Sequence, residues 1–485
     1  MVKLVNEYKI FVHRIGLVGI TNILIALSSL FLLPILTKNF SIDDYGVWVQ
    51  INTTLSLIPN IATLGLPYTM VRFLSAERDR NKIQEGFYSI AVIVLLSTFA
   101  ISALLFLFSK DVASTLFNGD VNLAMLLSVI VFFACLNALL LNFFRTFQQM
   151  KRYSFFLLIQ TYLGVGIVSY FAINGFGIHM AALGLLIANL ITFFITIAFI
   201  ILNIGFKIPK LKNMREYISF GLPTIPGNLS SWIVDSSDRY IIGIFLGTAF
   251  VGYYSPGYTL GNIIMMILAP FSILLPSVLP KYYDDDNIEK VRIFLKYSMK
   301  YFLLIAIPSA FGLSILSKPI LMILTTPEIA LNGYLITPFI ALSSLLFGVY
   351  AIVNNVIVLE KKTKITGTIW IIAALLNLCL NIVLVPYFGI IGAAVITLIT
   401  YALAFILTLM YSLKFFKFDI DLIFIIKSIT ASVLMSAIII LINPQGLLNL
   451  LITVMICSLA YFVVLIIIKG IKKDEFKFFK SLLKV

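Results

Sequence analysis

Apolar residues along this chain form runs of about 20, the length a helix needs to cross hydrocarbon, broken by short stretches rich in charge, glycine or proline. The pattern predicts an all-α polytopic membrane protein with about 14 transmembrane helices, a count that follows from that spanning length. The expected spans are 11–36, 45–66, 87–108, 121–144, 153–173, 178–202, 218–246, 251–279, 297–316, 334–359, 365–387, 390–413, 422–442 and 447–468. The first is too long for the apolar region of a cleavable signal and lacks a small-residue cleavage site, so it is expected to stay as a helix.

Charge then decides sidedness, because Lys and Arg are retained on the cytoplasmic side during insertion. The N-terminus, the connections after even-numbered spans and the C-terminal tail hold 30 of the 35 basic residues, with Lys300 counted in the connection after the eighth span. The opposite loops hold only Lys38, Lys110 and Lys318, while Arg239 and Lys427 fall inside spans. Both termini are therefore expected in the cytoplasm, and the chain is expected to be multi-pass in the cytoplasmic membrane of a prokaryote.

Composition narrows the function classes. With 61% hydrophobic and 12% charged residues the chain cannot be a water-soluble globule, for which about 25% charged is usual. Its net charge of +14 reads as topology and attraction to anionic headgroups, and the basic and aromatic module of a nucleic-acid binder is not there. Cys135, Cys379 and Cys457 lie in apolar segments, so neither a disulfide framework nor a metal site is expected. The longest outer loops, of 12 to 17 residues, leave no room for a folded catalytic domain. There is no G-x-x-x-x-G-K-[ST] phosphate loop. No cofactor and no enzymatic activity are expected.

An internal repeat organises the spans. FGIHMAAL at 176–183 opens the sixth and FGIIGAAV at 388–395 opens the twelfth, an offset of 212, and Gly46 and Gly252 open the second and eighth at an offset of 206. Two six-helix lobes that enter the membrane in the same direction, 1–203 and 217–413, would be parallel repeats about an axis along the membrane normal. A cytoplasmic linker, 204–216, joins them, and 414–485 carries helices 13 and 14 with a basic tail. Chance recurrence of small residues that favour close helix contact is the competing explanation.

Polar residues inside spans are expensive and point to function. Asn228, Ser231, Asp235, Asp238 and Arg239 occupy one face of the seventh span at helical spacing. Upstream, Pro223 and Pro226, with Gly221 and Gly227, are expected to kink the helix and make a gate. Asp235 and Arg239, four apart, could instead merely neutralise each other, which leaves Asp238 to be explained. Helix 1 carries Arg14, Thr21 and Ser28, and helix 2 carries Gln50, Thr53, Ser56, Asn60 and Thr63 on one face. Such stripes could line a hydrophilic cavity, although a single Ser or Thr commonly bonds within its own helix. Arg14, Arg72 and Arg145 sit near cytoplasmic helix ends, where they either snorkel to headgroups or grip an anionic headgroup bidentately.

Four stretches carry a family resemblance: FSIDDYG at 40–46; Leu64-Gly65-Leu66 with VRFL at 71–74; Gly221-Leu222-Pro223 with Asp238-Arg239-Tyr240 and Gly252-Tyr253-Tyr254; and NLCLN at 377–381 with Pro386, Gly389 and Gly392-Ala393-Ala394. In these the chain resembles a Wzx-type polysaccharide flippase of the multidrug/oligosaccharidyl-lipid/polysaccharide exporter superfamily. The resemblance implies a central cavity lined chiefly by helices 1, 2, 7 and 8, alternating access, and a polyprenyl-diphosphate-linked oligosaccharide as cargo. On that reading Arg14, Arg72 and Arg239 are candidates for the diphosphate, with Asn228, Gln50 and Asn60 among the substrate-binding residues. Asp235 and Asp238 are candidates for coupling to H⁺ or Na⁺, and Pro223 and Pro226 for gating. Partners would be the lipid-linked oligosaccharide, the bilayer and polysaccharide-assembly proteins. A multidrug/cation antiporter of the same superfamily is the nearest rival, and a membrane glycosyltransferase or polymerase the rival from another class.

Overall fold

The computed structural model describes residues 2–470, with residues 2–15 as backbone only, so the Arg14 side chain and the tail beyond 470 lie outside the described residues. Among the described residues there are α-helices and short 3-10 turns and no strand. The helices are α1 (Val2–Asn39), α2 (Ile42–Ala62), α3 (Leu66–Leu74), α4 (Arg80–Leu107), α5 (Ser109–Leu116), α6 (Val121–Thr146), α7 (Met150–Ile173), α8 (Gly177–Ile204), α9 (Met214–Gly221), α10 (Ile225–Leu246), α11 (Thr248–Gly261), α12 (Met265–Asp284), α13 (Ile288–Leu324), α14 (Pro327–Gly333), α15 (Ile336–Leu359), α16 (Thr363–Phe415), α17 (Leu422–Ile442) and α18 (Leu447–Ile467).

Short polar residues start these helices. Ser41, Asp79, Asp120 and Asp421 each accept a first-turn backbone N–H, of Asp44, Asn81, Leu123 and Phe424, which satisfies donors that hydrocarbon could not. Among the described residues, eleven helical segments are long and apolar enough to cross a membrane by length and composition. One of them, the 53-residue α16, is two helices joined at Gly389, whose φ of 62° and ψ of −154° interrupt it. Two further helices, α2 and α10, have spanning lengths of 21 and 22 residues but fall outside the eleven. The reason is their polar content: Gln50, Asn52, Thr53, Thr54 and Asn60 in one, Asn228, Asp235, Asp238 and Arg239 in the other.

Two expected spans changed shape. The eighth is α11, a 3-10 turn at Asn262–Ile264 and α12, with Pro256, Pro270, Pro276 and Pro280 along the way. The ninth starts earlier than expected, at Ile288, so Lys300, which the charge count had assigned to a connection, lies more than two turns inside the helix. There Lys300 is 5% exposed, with its ammonium 5.0 Å from the centre of the Phe424 ring. Lys427, in α17, donates to the carbonyl of Lys469 at 3.0 Å, just past the end of α18, where a cation offsets the negative end of the helix dipole.

The chain divides into two compact units, one of Met1–Ser255 with Ala374–Ala393, the other of Pro256–Ala373 with Ala394–Val485. The first has a core of Leu66, Met70, Phe87, Phe143, Phe144 and Phe156 from α3, α4, α6 and α7. Gly205 and Ile204, at the start of the connector, are fixed to α4: Arg80 Nε donates to the Ile204 carbonyl at 2.9 Å and the Tyr88 hydroxyl to the Gly205 carbonyl at 2.7 Å. The second unit builds its core from α12, α13, α15, α17 and α18, with Leu279, Phe302, Val353, Ala431 and Tyr461 fully or almost fully buried.

Candidate functional site

Within the first unit, α2 lies along α10 and the start of α11, and part of its polar stripe, Gln50 and Ser56, is spent on that contact. Thr248 Oγ1 donates to Asp43 Oδ1 at 2.7 Å and receives the Asn118 amide at 2.8 Å. Gln50 Nε2 donates to the Arg239 carbonyl at 2.8 Å, the hydroxyls of Thr54 and Tyr240 share a hydrogen bond of 2.7 Å, and Trp232 Nε1 donates to Ser56 Oγ at 2.8 Å. Glycines permit the approach: a Cβ at Gly46 would collide with the Thr248 carbonyl, and one at Gly243 with the Gln50 amide.

The charged residues of α10 divide between this seam and solvent. Asp238 is 1% exposed. Its Oδ1 accepts the Arg239 backbone N–H at 2.9 Å and the Arg239 guanidinium at 2.8 Å, and its Oδ2 accepts the Tyr254 hydroxyl. A carboxylate with three donors is compensated in place. Asp238 is thus itself an ion-pair partner of Arg239. Asp235 is exposed, and its backbone carbonyl takes a further bond from the Arg239 guanidinium.

Beyond the seam, past Ser56, a cavity of about 780 Å³ opens in the first unit. It is lined by Pro59, Asn60 and Thr63 of α2 and the turn after it, Tyr68 and Arg72 of α3, Leu141, Asn142 and Arg145 of α6, Tyr153 of α7, and Phe220, Thr224 and Asn228 around the α9–α10 bend. That volume is in the range of small-molecule sites, roughly 300–1,000 Å³. No lining residue is acidic. Both Arg72 and Arg145 are exposed, and among the described residues no carboxylate lies within ion-pair distance of either. Two uncompensated guanidiniums on an acid-free wall favour an anion.

The turn that shapes this wall is forced by sequence. Leu64 and Gly65 have φ of 53° and 68°, and a Cβ at Gly65 would strike the Gly221 carbonyl. On the other wall, Pro223 lies in a 3-10 turn, Leu222–Thr224, between α9 and α10, and Pro226 falls in the first turn of α10. The expected break in the seventh span is therefore present, because neither proline can donate to the preceding turn.

Of the residues singled out from sequence, Asn60, Arg72 and Asn228 come together at the cavity, while Gln50, Asp238 and Arg239 are joined in the seam. Among the described residues, none of α1 or α11 lines this cavity, whereas α3, α6 and α7 do. Thr21 and Ser28 of α1 bond to carbonyls of their own helix. Tyr68 was missed from sequence. A signal was available, since it stands four residues before Arg72 in a short segment, which puts both on one helical face.

Among the described residues the chain is an all-helical, multi-pass membrane protein with a basic cavity beside a polar seam. The profile of the polysaccharide biosynthesis protein family matches residues 12–282, more than half the chain, and the protein belongs to that family. The MatE profile matches 223–383. Among curated proteins of Haloferax volcanii, the chain is 24% identical over 281 residues to the probable low-salt glycan biosynthesis flippase Agl15, covering 57% of this chain and 59% of that one. It is 28% identical over 211 residues to the probable flippase AglR, covering 42% and 44%. Both matches span less than two thirds of these relatives. In fold, the chain is similar to the lipid II flippase MurJ in an inward closed conformation, with TM-score 0.75 and 19% identity over 92% of this chain and 97% of that one. It is also similar to an inward-facing multidrug resistance MATE family transporter of the MOP superfamily, with TM-score 0.65 and 16% identity over 82% and 97%.

Proposed function

We propose that this protein is a flippase that carries a polyprenyl-diphosphate-linked oligosaccharide from the cytoplasmic to the outer leaflet by alternating access, for cell-surface polysaccharide biosynthesis. One observation carries the reading: an acid-free cavity onto which Arg72 and Arg145 open without carboxylate partners. A diphosphate and its sugars lose their hydration in hydrocarbon and need such a wall, whereas an isoprenoid tail can stay in lipid. The flippase relatives support the same cargo class.

On this reading Arg72 holds the diphosphate together with Arg145, Asn60 and Asn228 meet the glycan, and Arg14 remains a further candidate. Arg239 and Gln50 act through the α2–α10 seam. Asp235 and Asp238 are the carboxylates through which H⁺ or Na⁺ could couple, and the bend at Pro223 and Pro226 is the gate. The chain has fourteen spans, as two six-helix lobes of 1–203 and 217–413 joined by 204–216, with 414–485 supplying two more helices and a tail. It resides in the cytoplasmic membrane with both termini inside, works without catalysis, and serves polysaccharide-assembly proteins.

The test is reconstitution of the full chain in vesicles with a fluorescent lipid-linked oligosaccharide, scoring access from the far leaflet. Transfer no faster than in protein-free vesicles would remove the proposal. The MatE match over 223–383 favours a second reading, a multidrug/cation antiporter, for which a cavity lined by carboxylates would be needed. That reading requires overexpression to raise resistance to cationic drugs.

A further inference from the structure

Tyr68 is held more firmly than an exposed aromatic needs to be. On one side of it the Pro67 carbonyl accepts the amide of Asn142, from α6, at 2.8 Å; on the other, Thr69 Oγ1 donates to the carbonyl of Tyr217, from α9, at 3.2 Å. Leu66 and Thr69 have no exposed surface, yet Tyr68 is 48% exposed and forms part of the cavity wall. Its hydroxyl donates to Asn228 Oδ1 at 3.3 Å. Among the described residues the ring is not part of the core around Leu66 and Met70, and its exposed surface is turned to the cavity. A pre-ordered side chain loses little entropy when a ligand arrives.

The neighbours define that ligand. Tyr68 and Arg72 are four residues apart on α3, one turn, which places their Cβ atoms about 5–6 Å from each other on the same face. Asn228 keeps its Nδ2 donor, because Tyr68 uses Oδ1, and Asn60 keeps Oδ1, because its Nδ2 is spent on the Ser56 carbonyl. An aromatic face with a polar tip, flanked by one amide donor and one amide acceptor, matches a sugar ring, which has an apolar C–H face and a rim of hydroxyls. A guanidinium one turn away matches the diphosphate to which the first sugar is joined.

We propose that Tyr68 is a specificity-determining platform for the carrier-proximal sugar, stacking on its ring while Asn60 and Asn228 read its hydroxyls and Arg72 holds the adjoining diphosphate. The proposal rests on the flippase reading. It adds the side chain, Tyr68, through which that sugar is recognised.

The experiment measures binding of three probes to the full chain in nanodiscs: polyprenyl diphosphate alone, and the same carrier bearing one hexose or one N-acetylhexosamine. Wild type should favour at least one sugar-bearing carrier over the bare one. Tyr68→Ala should erase that preference, a loss of roughly tenfold, with affinity for the bare carrier unchanged. Tyr68→Phe should keep most of it, and Tyr68→Leu, which retains bulk without an aromatic face, should behave like the alanine variant. Arg72→Gln should weaken all three probes together. If Tyr68→Ala and Tyr68→Leu leave the preference intact, or weaken the bare carrier equally, the platform is refuted while the flippase reading stands. If wild type binds none of the three, both fall.

Discussion

Gln50 donates its side-chain amide to the backbone carbonyl of Arg239 over 2.8 Å, from a position with no exposed surface. A glutamine in the middle of a spanning helix would be costly facing lipid, so its burial against α10 fixes how α2 and α10 lie together. Hydrogen bonds between membrane helices contribute only about 0.6 kcal/mol on average, with a maximum near 1.7, so Gln50 alone does not hold the seam. Close backbone contact does the larger share.

Gly46→Ala tests this. The added methyl meets the Thr248 main-chain carbonyl, which cannot turn aside as a side chain could, so α2 and α11 must separate. Overpacking of this kind costs about 1–3 kcal/mol. The variant should melt several degrees lower in detergent, whereas Gln50→Leu should shift the midpoint less. Equal midpoints for Gly46→Ala and wild type would mean the seam is loose.

Much of the fold was legible because lipid leaves a chain few options: every backbone polar group must be satisfied locally, so long apolar runs become helices. Even α2 and α10, too polar to stand out by hydropathy, were visible as stripes at helical spacing. What the stripes did not reveal was their destination. A polar face can line water or seal against another polar face with the same periodicity, and Gln50 and Asp238 took the second course while Asn60 and Asn228 took the first. Partner choice was equally hidden, since i,i+4 spacing pointed only to Asp235 for Arg239, and the adjacent Asp238 also pairs with it. The short helices α3 and α9 lie below the length at which periodicity is readable, yet they carry Arg72, Tyr68 and Phe220 to the cavity.

The cavity arginines give a direct prediction for transport. A hydrogen bond to a charged group contributes about 1.5–3 kcal/mol, or roughly 10–100-fold in affinity. Arg72→Gln and Arg145→Gln should each slow flipping by about tenfold or more, and the double variant should approach protein-free vesicles. Lys at either position keeps the charge but loses the planar fork, so an intermediate rate is expected. Unchanged rates in both glutamine variants would place the diphosphate elsewhere.

Gly389 offers a test on another part of the same unit. Its φ of 62° with ψ of −154° belongs to a region that residues with a Cβ avoid, at a cost of order 1–3 kcal/mol. A Cβ there would meet no neighbouring atom. Any loss of stability in Gly389→Ala is therefore backbone strain and not collision, and Gly389→Ala and Gly389→Ser should lower the melting midpoint alike. A bulk-dependent series would point to a steric cause instead.

Asp235 and Asp238 can be separated by stability before transport is measured. Asp238→Asn removes the carboxylate that pairs with the Arg239 guanidinium, in a pair whose side chains are only 12% and 1% exposed. Breaking a buried pair from one side costs about 3–5 kcal/mol, so this variant should melt lower, and adding Arg239→Gln should recover part of the loss because both members of the pair are then neutral. Asp235→Asn alters an exposed carboxylate, so it should cost less stability than the change at buried Asp238. If Asp235 carries a coupling ion, Asp235→Asn should melt above Asp238→Asn yet lose the response of transport to an imposed pH or Na⁺ gradient. Retention of that response would leave Asp238 as the only α10 carboxylate able to couple, and because its loss also breaks the ion pair, the double variant with Arg239→Gln would have to be the one measured. A flippase indifferent to both gradients in wild type would instead be driven by its cargo alone.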